Sequence, residues 1–206
     1  MGLSLKRVWE MHPGAVEAVG LWGRLSDNQI NELISWTGQR IGNVRMTFRD
    51  EVFVSRALRS PTMRGCPACF REDLEARGRS PSEAMAMRGD WQLRDTEICL
   101  RHSCSLVTLW QADDLAARYD FHSRLAEIHD DVVSHRLDGP GAEPTTFDRW
   151  LEGRLNRELD STWLSDQSLY ASVTFCRLLG AEISPMCSSL ERGPQDTLRA
   201  AQYAGF

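Results

Sequence analysis

The sequence predicts a mainly α-helical fold built around one small β unit, and three observations predict it. Two short pairs of soft donors, Cys66-x-x-Cys69 and Cys99-x-x-His102, are separated by 29 residues. On either side of them, apolar residues recur at helical spacing between Ser, Thr or Pro starts and Gly stops. Near the second pair, Trp91 and Leu93 alternate with Gln92 and Arg94, and Leu106 to Trp110 reads as another short strand. A knuckle, a small hairpin and a second pair make a zinc-ribbon or treble-clef-like unit. So small a unit buries little apolar surface and depends on a metal for stability.

The donor chemistry is specific. Three thiolates and one imidazole are a tetrahedral zinc set. A Cys-x-x-Cys turn brings two sulfurs to one ion, and Cys99-x-x-His102 repeats that geometry. Four strong ligands close the shell, so Cys66, Cys69, Cys99 and His102 predict a structural Zn²⁺ and not a catalytic one. Arg64, Arg71 and Arg101 flank the ligands and are expected to offset the net charge of about −1 from outside the shell. Two other readings apply. Cys66-x-x-Cys69 resembles a redox pair, but no apolar strand precedes it as a βαβ unit requires. Cysteines are also often simply buried. Cys104 is an alternative ligand to His102 or Cys99, although its spacing fits less well.

The helices follow in order. Leu5, Val8 and Trp9 suggest a short helix that Pro13-Gly14 breaks, and Ala15 to Trp22 suggests a second, weakened by Gly20. Ser26-Asp27-Asn28-Gln29 is a capping box for a helix over 27–37, with Gly38 as its stop. Residues 41–58 are ambiguous. Val44, Met46 and Phe48 alternate like a strand, while Val52, Phe53, Arg56 and Ala57 fit a helix. Within the spacer, 71–76 predicts a helical turn, and Ser80-Pro81 starts another that Gly89 ends. A helix is expected over 113–137, then a linker over 139–144, then helices over 146–159, 166–179 with Gly180 as its stop, and from Pro194 to Ala204. His122, His129 and His135 lack a Glu-x-x-His partner and read as solvated or core residues. Cys176 and Cys187 read as small apolar fillers. The expected organisation is a helical part over 1–60, a zinc-binding module over 61–110, and a helical part over 111–206 with a candidate helix-turn-helix at 146–180.

Composition narrows the function classes. Apolar content of 42% suffices for a core, and no run approaches the roughly 18 apolar residues of a membrane span. No signal core or phosphate-binding glycine loop is present, and no nucleophile elbow. The net charge of −5 argues against a general nucleic-acid coat. The charge is uneven, however. Residues 40–79 hold nine Arg against five acids, while 111–166 hold six Arg against thirteen. Lys6 is the only lysine, so the basic stretch is an arginine stretch, suited to bidentate phosphate contacts. Arg40, Arg45, Arg49, Arg56, Arg59 and Arg64 are the candidate nucleic-acid contacts, with the spacings 45–49 and 56–59 fitting a helix face.

Arg64, Cys66-Pro67-Ala68-Cys69, Asp73, Trp91, Leu93, Cys99, His102 and Leu106 together form a pattern that resembles the TniQ family over roughly residues 64–110. A weaker likeness runs through Phe147, Trp150-Leu151 and Leu178-Leu179-Gly180 to Ala204-Gly205-Phe206. The family's Glu-Ser-x-x-Ser-Trp-Leu-like opening is missing before Arg40, and the resemblance would continue past Phe206. The expectation is therefore a fragment, a truncated copy or a divergent member. The resemblance implies a non-enzymatic target-selection subunit of bacterial heteromeric transposition systems, the TnsD-like proteins included. Such a protein works in the cytoplasm, binds DNA or docks on a CRISPR effector complex, and recruits an AAA+ regulator. DNA binding by the chain alone would be weak, and a homodimer stays open. The alternatives are a zinc-containing DNA-binding regulator outside transposition, and a zinc or Cys-x-x-Cys redox enzyme.

Overall fold

The computed structural model describes residues 7, 8, 11–58, 60–77, 80–183 and 194–206. The predicted helix through Leu5 and Trp9 lies largely outside them, as do Arg59, Cys187 and Gly193. About half of the described residues are helical. The strands form three small antiparallel sheets where one β unit was expected. The chain divides into two units, Met1–Ser55 and Arg56–Phe206.

In the first unit, α1 (Pro13–Gly23) starts at Pro13, with the His12 ring accepting from the Gly14 amide at 3.3 Å. Pro13-Gly14 thus opens a helix. Helix α2 (Asp27–Ser35) carries the predicted capping box at Ser26 and Gln29 and ends before Gly38. The ambiguous stretch is mostly sheet: β1 (Gln39–Ile41), β2 (Arg45–Phe48) and β3 (Glu51–Val54) pair in that order. Arg49 and Asp50 take φ of 53° and 64°, the left-handed pair that a two-residue hairpin turn needs. The strand period wins because it places Met46, Phe48 and Phe53 on one face, all at most 3% exposed. Phe48 meets Phe53 edge-on at 6.1 Å and Trp36 at 5.6 Å. A single helical turn, α3 (Ser55–Leu58), follows.

The second unit is built on β4 (Thr62–Gly65), which leads into α4 (Pro67–Arg77). This helix is longer than the turn predicted, because Pro67 suits its first position and loses no hydrogen bond there. After α5 (Pro81–Ala84), residues Asp90–Gln92 form a 3₁₀ turn, not a strand. The Leu93 amide donates to the Asp90 carbonyl at 3.0 Å. Trp91 and Leu93 are both buried, so their alternation reflects two inward residues of a turn. Strands β5 (Ile98–Cys99) and β6 (Cys104–Ser105) form a tight hairpin, and β7 (Val107–Gln111) pairs back with β4.

One long helix was expected next; two are present, α6 (Leu115–Tyr119) and α7 (Phe121–Val133). Asp120 splits them, because its carboxylate caps the Ser123 amide at 3.2 Å. Leu125, Ile128 and Val132 of α7 pack into the core with Phe70, Trp91, Leu106 and Leu109. The predicted linker is instead held against β6. The Ser105 amide donates to Pro140 at 2.9 Å, and the Ala142 amide to Ser103 at 2.8 Å.

The remaining helices are α8 (Thr146–Leu155), α9 (Leu169–Ile183) and α10 (Pro194–Gly205). Gly180 lies inside α9 and is not its stop. A Cβ there would come within 1.7 Å of the Ala201 carbonyl, and one on Gly205 within 1.8 Å of the Cys176 carbonyl. Two glycines thus let α9 and α10 touch backbone to backbone. Gln202 of α10 donates to Asp95 at 3.0 Å, and Arg199 to Asp148 of α8 at 3.0 Å. Residues 156–168 join α8 to α9, far longer than the turn of three or four residues in a helix-turn-helix.

That long connection is pinned by Asp160. Its carboxylate accepts from Arg154 at 2.7 Å, Trp150 at 2.9 Å and the Thr162 amide at 2.8 Å. Burial raises the Asp160 carboxyl, but these hydrogen bonds outweigh it and bring it down to about 2. A carboxyl depressed in the fold stabilises above its unfolded value, near 4, and that contribution is lost as pH falls through 2. Asp160→Asn is therefore expected to cost about 3 kcal/mol at neutral pH. Denaturant titrations from pH 7 to 2 should show the gap between variant and parent closing below about pH 4; a gap constant with pH would refute this.

Candidate metal centre

The four predicted ligands converge. Cys66 follows β4 directly, and Cys69 lies in the first turn of α4. Cys99 ends β5, and His102 lies in the hairpin turn, where Ser103 takes a φ of 47°. The three sulfurs and one ring nitrogen all lie within 4.8 Å of one another. His102 Nδ1 is 3.5 Å from Cys66 Sγ, 3.3 Å from Cys69 Sγ and 3.4 Å from Cys99 Sγ. Cys69 and Cys99 sulfurs are 3.6 Å apart. A tetrahedron with zinc–ligand bonds of roughly 2.3 and 2.0 Å has edges of about 3.8 Å between sulfurs and 3.5 Å from sulfur to nitrogen. The four distances lie close to those edges, so the donors could bind a tetrahedral metal ion.

The electrostatics favour a cation. Hydrogen bonds from Cys69 and Cys99 pull the Cys66 thiol down to about 2. The same contacts push the Cys69 thiol up. A divalent ion bound there would displace the remaining thiol protons. Such an ion would supply a cross-link between the β4–α4 corner and the β5–β6 hairpin. Cys66, Cys69 and Cys99 are 0%, 3% and 6% exposed, so the cross-link is buried.

Glu72, unremarked in the sequence, orients the imidazole. Its carboxylate is 3.1 Å from His102 Nε2 and 3.0 Å from Arg101 Nε, leaving Nδ1 to face the sulfurs. Its position three residues after Cys69, one helical turn on, was a legible signal. Of the flanking arginines, Arg101 reaches the site through Glu72. Arg71 instead clamps Asp138 at 2.6 and 3.1 Å, and Arg64 donates to the Leu93 and Arg94 carbonyls at 3.0 Å. Cys104 lies outside the mutual set but near it, its sulfur 3.6 Å from Cys66. Burial, and then the charge on Cys66, push the Cys104 thiol up to about 12.

The other motif residues are structural. Asp73 accepts a two-pronged pair from Arg88 at 2.9 and 3.0 Å and caps the Ala86 amide at 3.1 Å. Trp91 meets Phe70 edge-on at 5.6 Å. His129 and His135 sit beside Asp130 and Asp138, and no metal group includes them among the described residues.

The structure separates the candidate arginines. Arg40, Arg45 and Arg56 are exposed. The helical alignment of Arg45 with Arg49 is absent: Arg45 opens β2 and Arg49 turns inward after it. Arg49 is 5% exposed, its guanidinium 2.6 Å from Glu32 and 4.2 Å from the Trp36 ring centre.

A model of the TniQ family matches residues 3–106. The match covers the ligand pairs and also the N-terminal region, where the usual opening run is missing. No curated protein and no solved structure matches the chain.

Cobalt titration tests the ligand set. One Co²⁺ per chain is expected, with the absorption of a three-thiolate tetrahedral site. Cys69→Ser and Cys99→Ser should abolish it, and Glu72→Gln should weaken affinity about 10–100-fold with the spectrum intact. Loss of one thiolate's absorption in Cys104→Ser would instead make Cys104 a ligand.

Proposed function

The chain belongs to the TniQ family, a transposition-associated family, and from that premise we propose that it is a non-catalytic adaptor, shaped by structural zinc, for choosing the transposition target. The observation that carries this reading is the closed donor set. Four strong ligands leave no coordination position for an attacking water, whereas a catalytic zinc keeps one open. Three thiolates favour zinc over harder cations.

The proposed partners are DNA and the proteins of the transposition machinery, an AAA+ regulator or a CRISPR effector complex among them. The protein works in the bacterial cytoplasm. No helix among the described residues is long and apolar enough to cross a membrane. The division of labour follows charge: arginines approach phosphates, and the acidic helices of 111–166 face protein partners. Of the six arginines first singled out, the exposed Arg40 and Arg45 of the first unit are assigned to duplex phosphates. Arg49 and Arg64 already serve Glu32 and backbone carbonyls.

Elemental analysis of protein purified without chelator should find about one zinc per chain. Duplex DNA binding by the chain alone should be weak, roughly 10⁻⁴–10⁻⁶ M at physiological salt. Arg40→Ala with Arg45→Ala should flatten the plot of log K against log salt by about two units. Arg149→Ala with Arg157→Ala, in the acidic half, should leave it unchanged. Tight sequence-specific binding without any partner would favour a regulator outside transposition. Retention of a purified regulator on the immobilised chain, lost in Cys69→Ser, would support the adaptor reading.

A further inference from the structure

The second unit carries a cleft of about 490 Å³ between the β4–β7 ribbon and the 3₁₀ turn. Its lining includes Arg56, Arg64, Arg94, Trp91 and Tyr119. Arg56 and Arg94 are exposed; the buried Asp95 carboxylate feels the Arg94 charge, and neither arginine makes a close ion pair among the described residues. Arg64 is held in place by the Leu93 and Arg94 carbonyls, so its charge is fixed in the wall. One acid, Glu97, also lines the cleft and is 8% exposed, leaving an excess of positive charge facing an opening.

We propose that this cleft binds an unpaired strand of nucleic acid, taking a stretch of sugar–phosphate backbone along Arg56 and Arg94 and a base against the half-buried Tyr119 ring. The volume lies within the roughly 300–1,000 Å³ of small-ligand sites, enough for one or two nucleotides. A duplex keeps its bases stacked inside and presents a convex ridge of phosphates, which a concave cleft cannot follow. A single strand can turn its bases inward. Arginine planes and aromatic rings are the surfaces on which unpaired bases stack, and cations beside them track the backbone. An acidic peptide would use the cations and leave the Tyr119 ring unused. The proposal rests on the reading that this protein works at nucleic acid, but it uses different residues from the exposed Arg40 and Arg45 of β1 and β2.

Fluorescence anisotropy on the zinc-loaded full chain tests it, with a labelled oligothymidine about twelve nucleotides long and a duplex of equal length. The single strand should bind at least about fivefold more tightly than the duplex. Arg56→Ala with Arg94→Ala, both exposed side chains, should weaken strand binding about tenfold and flatten its salt plot by about 1.4, two phosphates at roughly 0.7 each. The same pair should leave duplex binding within about twofold, whereas Arg40→Ala with Arg45→Ala should do the reverse. Strand binding that persists without duplex binding would overturn the duplex-contact reading and support the cleft. An unchanged strand affinity in the cleft pair would overturn the cleft proposal. So would displacement of the strand by an oligoglutamate peptide at a lower concentration than unlabelled strand requires, which would assign the cleft to acidic peptides.

Discussion

The junction of three sulfurs and one imidazole is the constraint on which the second unit depends. A metal held there would join the corner after β4 to the tip of the β5–β6 hairpin. Strands of two residues and a helix started by proline have little intrinsic stability. A structural zinc bound there would supply roughly 10–16 kcal/mol of apparent binding free energy, which is folding free energy when the site exists only in the fold. The same junction sets the wall around it: Phe70 lies one residue past Cys69, and Trp91 packs edge-on against that ring.

From this centre the helices are attached by a few specific contacts. Arg71 on α4 clamps Asp138, at the end of the α7 turn, and so orders the segment that runs beside β6. Gln202 reaches Asp95 across the sequence, and Arg199 reaches the capping carboxylate Asp148. Phe206 stacks near Phe147 and Trp150, with ring centres 5.9 and 5.1 Å away. Together with the close approach at Gly180 and Gly205, these contacts seat α10 against α9 and α8.

The arginines show how little a charge count decides. Arg49 spends its charge on Glu32 and Trp36, Arg71 on Asp138 and Arg88 on Asp73. Of the described arginines in the basic stretch 40–79, Arg40, Arg45 and Arg56 are exposed, divided between the two units, and Arg94 is exposed beside the last of them in the cleft. A buried guanidinium must be paired or hydrogen-bonded, so the arginines nearest the core are the least available to a phosphate.

The sequence by itself determined what is local. Ser26 with Gln29 and Thr145 with Asp148 mark helix starts, because a cap is satisfied within four residues. The convergence of Cys66, Cys69, Cys99 and His102 was half legible for the same reason, since each Cys-x-x pair places two donors on one turn. Tertiary structure decided the rest. Trp91 and Leu93 are a 3₁₀ turn because both side chains find the core, and burial overrides alternation. Met46 and Phe53 settled a strand against a helix through a pairing that requires a partner strand. Gly180 reads as a helix stop until a second helix lies against it; then its missing Cβ is what permits the contact. Whether an arginine meets solvent, a carboxylate or a cleft depends on residues far away in sequence, and local patterns carry no information about them.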